Sequence, residues 1–199
     1  MKRLSYLWMK GHAMLWLLLG RDDRAMHVFA CMVRRFPQAP YPLASRAYLH
    51  AQAGRYRQAL QDFEDLQRLQ PDDARSCFNK GFVLEQLERW DEASAAFGRA
   101  TELSPQLDRA WYGLGLVLIR MQRFDEAIAA LRRNTELQPM SPYGWYQLAR
   151  IHADRQQPGD AVKIIRHLQG FEPKVAAQLE RETGLLLCSR HHAGMPQEG

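Results

Sequence analysis

Apolar residues along this chain fall into helical stripes broken by short polar interruptions. Around the fourth such stripe Trp111, Leu114, Gly115 and Leu118 recur at i, i+3, i+4 and i+7, one face of a helix. Gln122 and Arg123 interrupt the pattern, and Ala127, Ile128, Leu131 and Leu137 resume it. Asp125 and Glu126 stand in the first turn of this second stripe, where acids meet the positive end of the helix dipole. Pro139 follows where a helix cannot continue. The pattern predicts two helices, A and B, joined by a tight turn.

This unit recurs. Alanine stands at 25, 59, 93, 127 and 161, and proline at 37, 71, 105, 139 and 173, both stepping by 34 residues. Cutting at that period yields five units, 6–39, 40–73, 74–107, 108–141 and 142–175. Each carries a small residue in helix A (Ala13, Ala47, Gly81, Gly115, Ala149) and an alanine in helix B, which together let the paired helices close. A larger residue four places after that alanine (Phe29, Phe63, Phe97, Leu131, Ile165) fills the space left between them. Enlarging one of the small residues would separate the helices at a cost of about 1–3 kcal/mol. One unit cannot bury its apolar face alone, so the units must stack.

The quoted residues resemble the tetratricopeptide repeat pattern W-x₂-L-G-x₂-Y, A-x₃-F, P. The fourth unit carries it as Trp111, Leu114, Gly115, Leu118, Phe124, Ala127, Leu131 and Pro139, and the match extends over residues 6–175. The resemblance implies an all-α, right-handed α-solenoid (superhelix) of five helix-turn-helix repeats, with a C-terminal capping helix over 176–189. Residues 1–190 then form one solenoid domain and 190–199 a flexible tail that includes His191 and His192. The cap would bury Ala177, Leu179, Leu185, Leu186 and Leu187. In the fifth unit Pro158 replaces the aromatic that other units place at Tyr56, Trp90 or Phe124, which predicts a looser repeat.

The first unit departs in the opposite sense. Its helix A is apolar nearly all round, which predicts that something covers it: a preceding turn from residues 1–5, a second copy of the chain or a membrane surface. A homodimer through Leu7, Trp8, Leu15 and Leu18 is the preferred cover. A cleaved signal is disfavoured because Lys10 and His12 interrupt the apolar run and no small-x-small site precedes Gly20. Leu4–Leu19 is also short for a membrane span.

Charge sharpens this asymmetry. The chain of 199 residues carries +5 overall, but residues 1–60 hold ten Lys and Arg against only Asp22 and Asp23. Without a compact basic run interleaved with stacking aromatics, nucleic acid is not an expected partner. Three separated cysteines, Cys31, Cys77 and Cys188, predict reduced thiols and a cytoplasmic setting.

No catalytic constellation stands out, and the chain reads as a non-enzyme with no cofactor and no metal. The Asp-Glu pairs at 91–92 and 125–126 recur at one repeat position and mark helix starts, not paired catalytic acids. His50 and His152 sit at a helix A packing position. Cys77 takes a core position, where a thiol is buried and not nucleophilic.

Function is expected on the surface of the A helices, which the resemblance implies is a concave groove. The family's groove positions fall on Tyr41, Tyr48, Arg75, Phe78, Phe82 and Arg109 in the earlier units. In the later units they fall on Tyr112, Leu116, Arg120, Tyr143, Tyr146 and Arg150. Aromatics and arginines are the residues enriched in binding hot spots. Repeated along a solenoid, they suit a peptide or an amphipathic helix laid in a groove. The carboxylate clamp found in some family members is absent: Asn79 and Arg109 match it, but Ala44, Tyr48 and Gly113 do not. The reading is a protein-protein interaction module, an adaptor, scaffold or assembly factor. The alternative is a peripheral membrane or secretion-associated chaperone acting through the apolar, basic N-terminus.

Overall fold

The computed structural model describes residues 2–185, with side chains from Arg3 onward. Among these residues the secondary structure is entirely helical. The helices are α1 (Lys2–Leu18), α2 (Asp22–Arg35), α3 (Pro40–Gln52), α4 (Tyr56–Leu69), α5 (Ala74–Gln86) and α6 (Trp90–Leu103). They continue with α7 (Asp108–Arg120), α8 (Phe124–Leu137), α9 (Pro142–Asp154), α10 (Pro158–Gln169) and α11 (Pro173–Thr183). The starts of α3, α5, α7 and α9 step by 34 residues, as do those of α2, α4, α6, α8 and, at Pro158, α10. None of the described helices is long and apolar enough to cross a membrane. The chain divides into two compact units, residues 1–110 and 111–199.

In residues 1–110, α1 packs on α2, α3 on α4 and α5 on α6, and α2–α3 and α4–α5 join successive pairs. The small-against-large rule is visible at Gly81, where an added Cβ would lie 2.8 Å from Phe97 Cδ1. Ala13, Ala25, Phe29, Ala47, Ala59, Phe63, Ala93 and Phe97 are all buried. Between α3 and α4, Arg46 grips the buried Asp62 with both arms, Nε at 2.9 Å from Oδ2 and Nη2 at 2.6 Å from Oδ1. The pairing leaves neither charge stranded, as a buried carboxylate requires.

In residues 111–199 the same contacts recur in different residues. A Cβ on Gly115 would lie 2.7 Å from Leu131 Cγ, and Gly144 leaves room for Asn134 and Thr135 of the preceding helix. The fifth unit has proline where other units carry an aromatic. Pro158 opens α10, and Trp145 meets His167 at 4.5 Å between ring centres, with Phe171 edge-on beyond it at 5.4 Å.

Every A-to-B turn has the same backbone. Gly20, Gly54, Glu88, Gln122 and Gln156 all adopt positive φ, between 58° and 69°. The next residue's N–H reaches back five places, as in Arg55 N to His50 O (2.8 Å) and Arg123 N to Leu118 O (2.9 Å). This is the Schellman closure of a helix, which satisfies carbonyls the helix end leaves open. Only two of the five residues are glycine, so in the other three the tertiary arrangement holds a conformation their side chains disfavour.

The C-terminal helix corrects the expected boundaries. It opens at Pro173 and closes at Thr183, where Gly184 turns left-handed with φ 69°. Ala176 and Leu179 are its buried residues, and Leu185 lies past its end. Leu186, Leu187 and the tail with His191 and His192 fall outside the described residues. At the other terminus, residues 2–5 belong to α1 itself, so no preceding turn among them covers it.

Candidate protein-binding faces

The A helices of residues 1–110 carry Tyr41, Tyr48, Arg75, Phe78, Phe82 and Arg109. They divide into supported and free side chains. Tyr41 packs edge-on against Phe29 at 6.0 Å, lies under Lys10 Nζ at 4.4 Å, and donates its hydroxyl proton to Met14 Sδ at 3.2 Å. Phe78 leans on the core ring of Phe97 at 5.8 Å, and the Arg109 guanidinium covers it at 5.2 Å. These two rings are half-buried and partly structural. Tyr48, Arg75 and Phe82 are exposed, Tyr48 at 54% and Phe82 at 41%. Tyr48 is steadied by a hydrogen bond from Gln52 Nε2 at 3.0 Å, and Phe82 by the edge of Tyr56 at 6.5 Å.

Between α1 and α3 lies a recess of about 360 Å³. It is lined by Leu17, Asp22, Tyr41, Ala44, Ser45, Tyr48, Leu49 and Gln52. Ala44, which stands where the carboxylate clamp would have a cation, is one of these residues. Sequence reasoning identified the two tyrosines but not Leu17, Asp22 or Ser45. The repeat register places Ala44 one turn before Tyr48, whereas Asp22 comes from a different helix and leaves no sequence signal.

In residues 111–199, Tyr112 and Tyr143 meet edge-to-face at 6.4 Å, and Tyr143 is 67% exposed. Leu116 is half-buried beside them in the register, and Arg120 and Arg150 are exposed. Tyr146 differs from the expectation of an open groove residue: its hydroxyl donates to Glu182 Oε2 of α11 at 2.7 Å. That bond, together with one from Gln178 at 2.8 Å, holds the Glu182 carboxyl below the usual carboxylate range. The same bond raises the Tyr146 hydroxyl above its ordinary value. An acidic side chain of the chain itself thus occupies the last aromatic of this face.

Residues outside these faces behave as packing. Burial pulls His50 below the ordinary imidazole value, and its Nδ1 accepts from Arg55 Nε at 3.1 Å. His152 is buried with Nδ1 at 2.8 Å from Gln157 Oε1. Burial pushes the Cys77 thiol up, away from thiolate chemistry. Asp91, Glu92, Asp125 and Glu126 occupy first turns, and Arg89 and Arg123 fork onto Glu92 and Glu126 at 2.6–2.7 Å.

The N-terminal self-association candidates Leu7, Trp8, Leu15 and Leu18 are all exposed on α1, with Leu4, Met14 and Leu19 beside them.

A family model for the tetratricopeptide repeat matches residues 45–108, 78–133 and 112–170, well over half of the chain. The chain is a tetratricopeptide repeat protein. Among curated proteins, none matches it in sequence. Solved structures are similar in fold. MamA from Desulfovibrio magneticus RS-1 is 20% identical with a TM-score of 0.77, over 89% of this chain and 96% of that one. YrrB is 20% identical with a TM-score of 0.76, over 85% and 88%, and is described as having an unusual peptide-binding site. TTC0263, a thermophilic protein of Thermus thermophilus, is 20% identical with a TM-score of 0.61, over 92% and 99%.

Proposed function

We propose that this tetratricopeptide repeat protein is a non-catalytic binding module, an adaptor, scaffold or assembly factor, whose A-helix faces take a peptide or amphipathic helix of a protein partner. The observation that carries the reading is the set of aromatics left largely exposed. Tyr48, Phe82 and Tyr143 stand exposed on A helices, with Arg75, Arg120 and Arg150 in the same register. Such rings contribute most to binding when a partner desolvates them. The recess between Tyr41 and Tyr48 accepts an aliphatic side chain, and the arginines pair carboxylates. Glu182, seated on Tyr146, is an internal example of an acid held on this kind of surface. Peptide binding by YrrB, a protein of the same fold, agrees with this use of the surface.

The test is affinity capture from the native host followed by peptide mapping and binding assays on the mapped peptide. Tyr48→Ala combined with Tyr143→Ala removes exposed rings and leaves helicity unchanged. These two are better probes than Phe78, whose ring also supports Phe97. The double variant is expected to lose peptide binding, and unchanged affinity would sink the assignment.

A further inference from the structure

We propose that α1 is a two-fold interface between two copies of this chain, the helices crossing antiparallel at Gly11. The exposed apolar stripe of α1 is a palindrome about that glycine. Leu4 and Leu18 lie seven residues on either side of it, Leu7 and Leu15 four, and Trp8 and Met14 three. On a helix all of these fall within one stripe, with Gly11 at its centre. An isologous contact demands this arrangement, because residue i meets j while j meets i. In an antiparallel pair the partner's Leu18 comes level with Leu4, the partner's Leu15 with Leu7, and the partner's Met14 with Trp8.

The glycine is otherwise unexplained. Glycine in a helix interior is destabilising relative to alanine, yet a Cβ at position 11 would meet nothing within 4 Å in the chain. Close approach of a second backbone on the axis is what its missing side chain permits.

Charge selects the antiparallel direction. Arg3 stands exposed at the start of α1, and the charges just beyond its end, Arg21, Asp22, Asp23 and Arg24, cancel. Antiparallel pairing brings Arg3 to the negative end of the partner's helix, whereas parallel pairing sets Arg3 against its own copy.

The area also suffices. Leu4 is 74% exposed, Trp8 70% and Leu18 84%, and the stripe as a whole presents on the order of 800 Å², the share each partner gives to a stable complex.

Sedimentation of the full-length protein tests the proposal. The chain is expected to sediment as a dimer. Gly11→Leu, which the chain itself accommodates, should weaken association by at least about tenfold while leaving the unfolding of the dilute chain intact. Under mild oxidation Gly11→Cys should cross-link two copies through the axis. Leu4→Cys alone should add no cross-link beyond the native chain's, and Leu4→Cys with Leu18→Cys should. A monomer at all accessible concentrations overturns the proposal. So does a dimer indifferent to both Gly11→Leu and Leu15→Glu. Monomeric protein that binds phosphatidylcholine–phosphatidylserine vesicles through α1 overturns it in favour of a membrane surface.

Discussion

The two terminal helices solve the same problem in opposite ways. Each is the outermost described helix at its end of the chain, and among the described residues one of its faces has no further helix packed on it. Helix α11 ends its side with polar residues outward: Gln178, Arg181 and Glu182 are exposed while Ala176 and Leu179 are buried. Helix α1 buries Ala13 equally well but turns Leu4, Leu7, Trp8, Leu15 and Leu18 outward. Inside, the two ends obey one packing rule. Outside, one end presents polar side chains and the other an apolar stripe. The end of a repeat array is therefore a place where function can be written without disturbing the fold.

Core substitutions should show how alike the ends are within. Phe29→Ala, behind α1, is expected to cost about 3–5 kcal/mol, and Leu179→Ala, in α11, about 2–5 kcal/mol. Leu18→Ala, on the outward face of α1, should stay within about 0.5 kcal/mol in the dilute chain. Denaturant unfolding measures all three. A Leu18→Ala loss as large as that of Leu179→Ala would erase the contrast between the ends.

A smaller effect belongs to the turns. Gly20→Ala in the first repeat places a Cβ on left-handed backbone and should cost about 1 kcal/mol. Gln156→Gly in the fifth removes such a Cβ and should stabilise by about 0.5–1 kcal/mol. Thermal unfolding of the pair gives the two signs directly, and equal signs would mean the turns are not equivalent.

The smallest effect is specific to the α11 end. Glu182 has its folded-state pKa lowered by Tyr146, so its contribution is present above the ordinary carboxylate range and is lost as pH falls through the lowered value. Amide shifts in α11 should follow that titration, and Tyr146→Phe should move it back towards the ordinary carboxylate value. A titration unchanged by Tyr146→Phe would show that the bond is not what ties Glu182 down.

Much of this molecule was legible in order along the chain, and the reason is locality. Small and large residues that meet, such as Gly115 and Leu131 or Gly81 and Phe97, lie 16 residues apart inside one unit. Their spacing repeats, so the period exposes them. Contacts that do not repeat left no such trace. Glu182 reaches Tyr146 across 36 residues, and Arg46 grips Asp62 with no equivalent pair at the same register. Tyr41 and Phe78 read as open groove residues, yet each leans on a core ring that other repeats fill differently.

The sequence by itself determined the helix pairs, their 34-residue step and the complementarity that closes each pair, because these depend on residue size at short, recurring distances. It also displayed the palindrome about Gly11, although only the exposure of α1 makes that pattern a surface. Tertiary structure alone decided the turns, since Glu88, Gln122 and Gln156 carry no sign of left-handed backbone and adopt it because the helices they join are already packed. It likewise decided which aromatics support the fold and which stay exposed, because burial depends on neighbours that the repeat period does not specify.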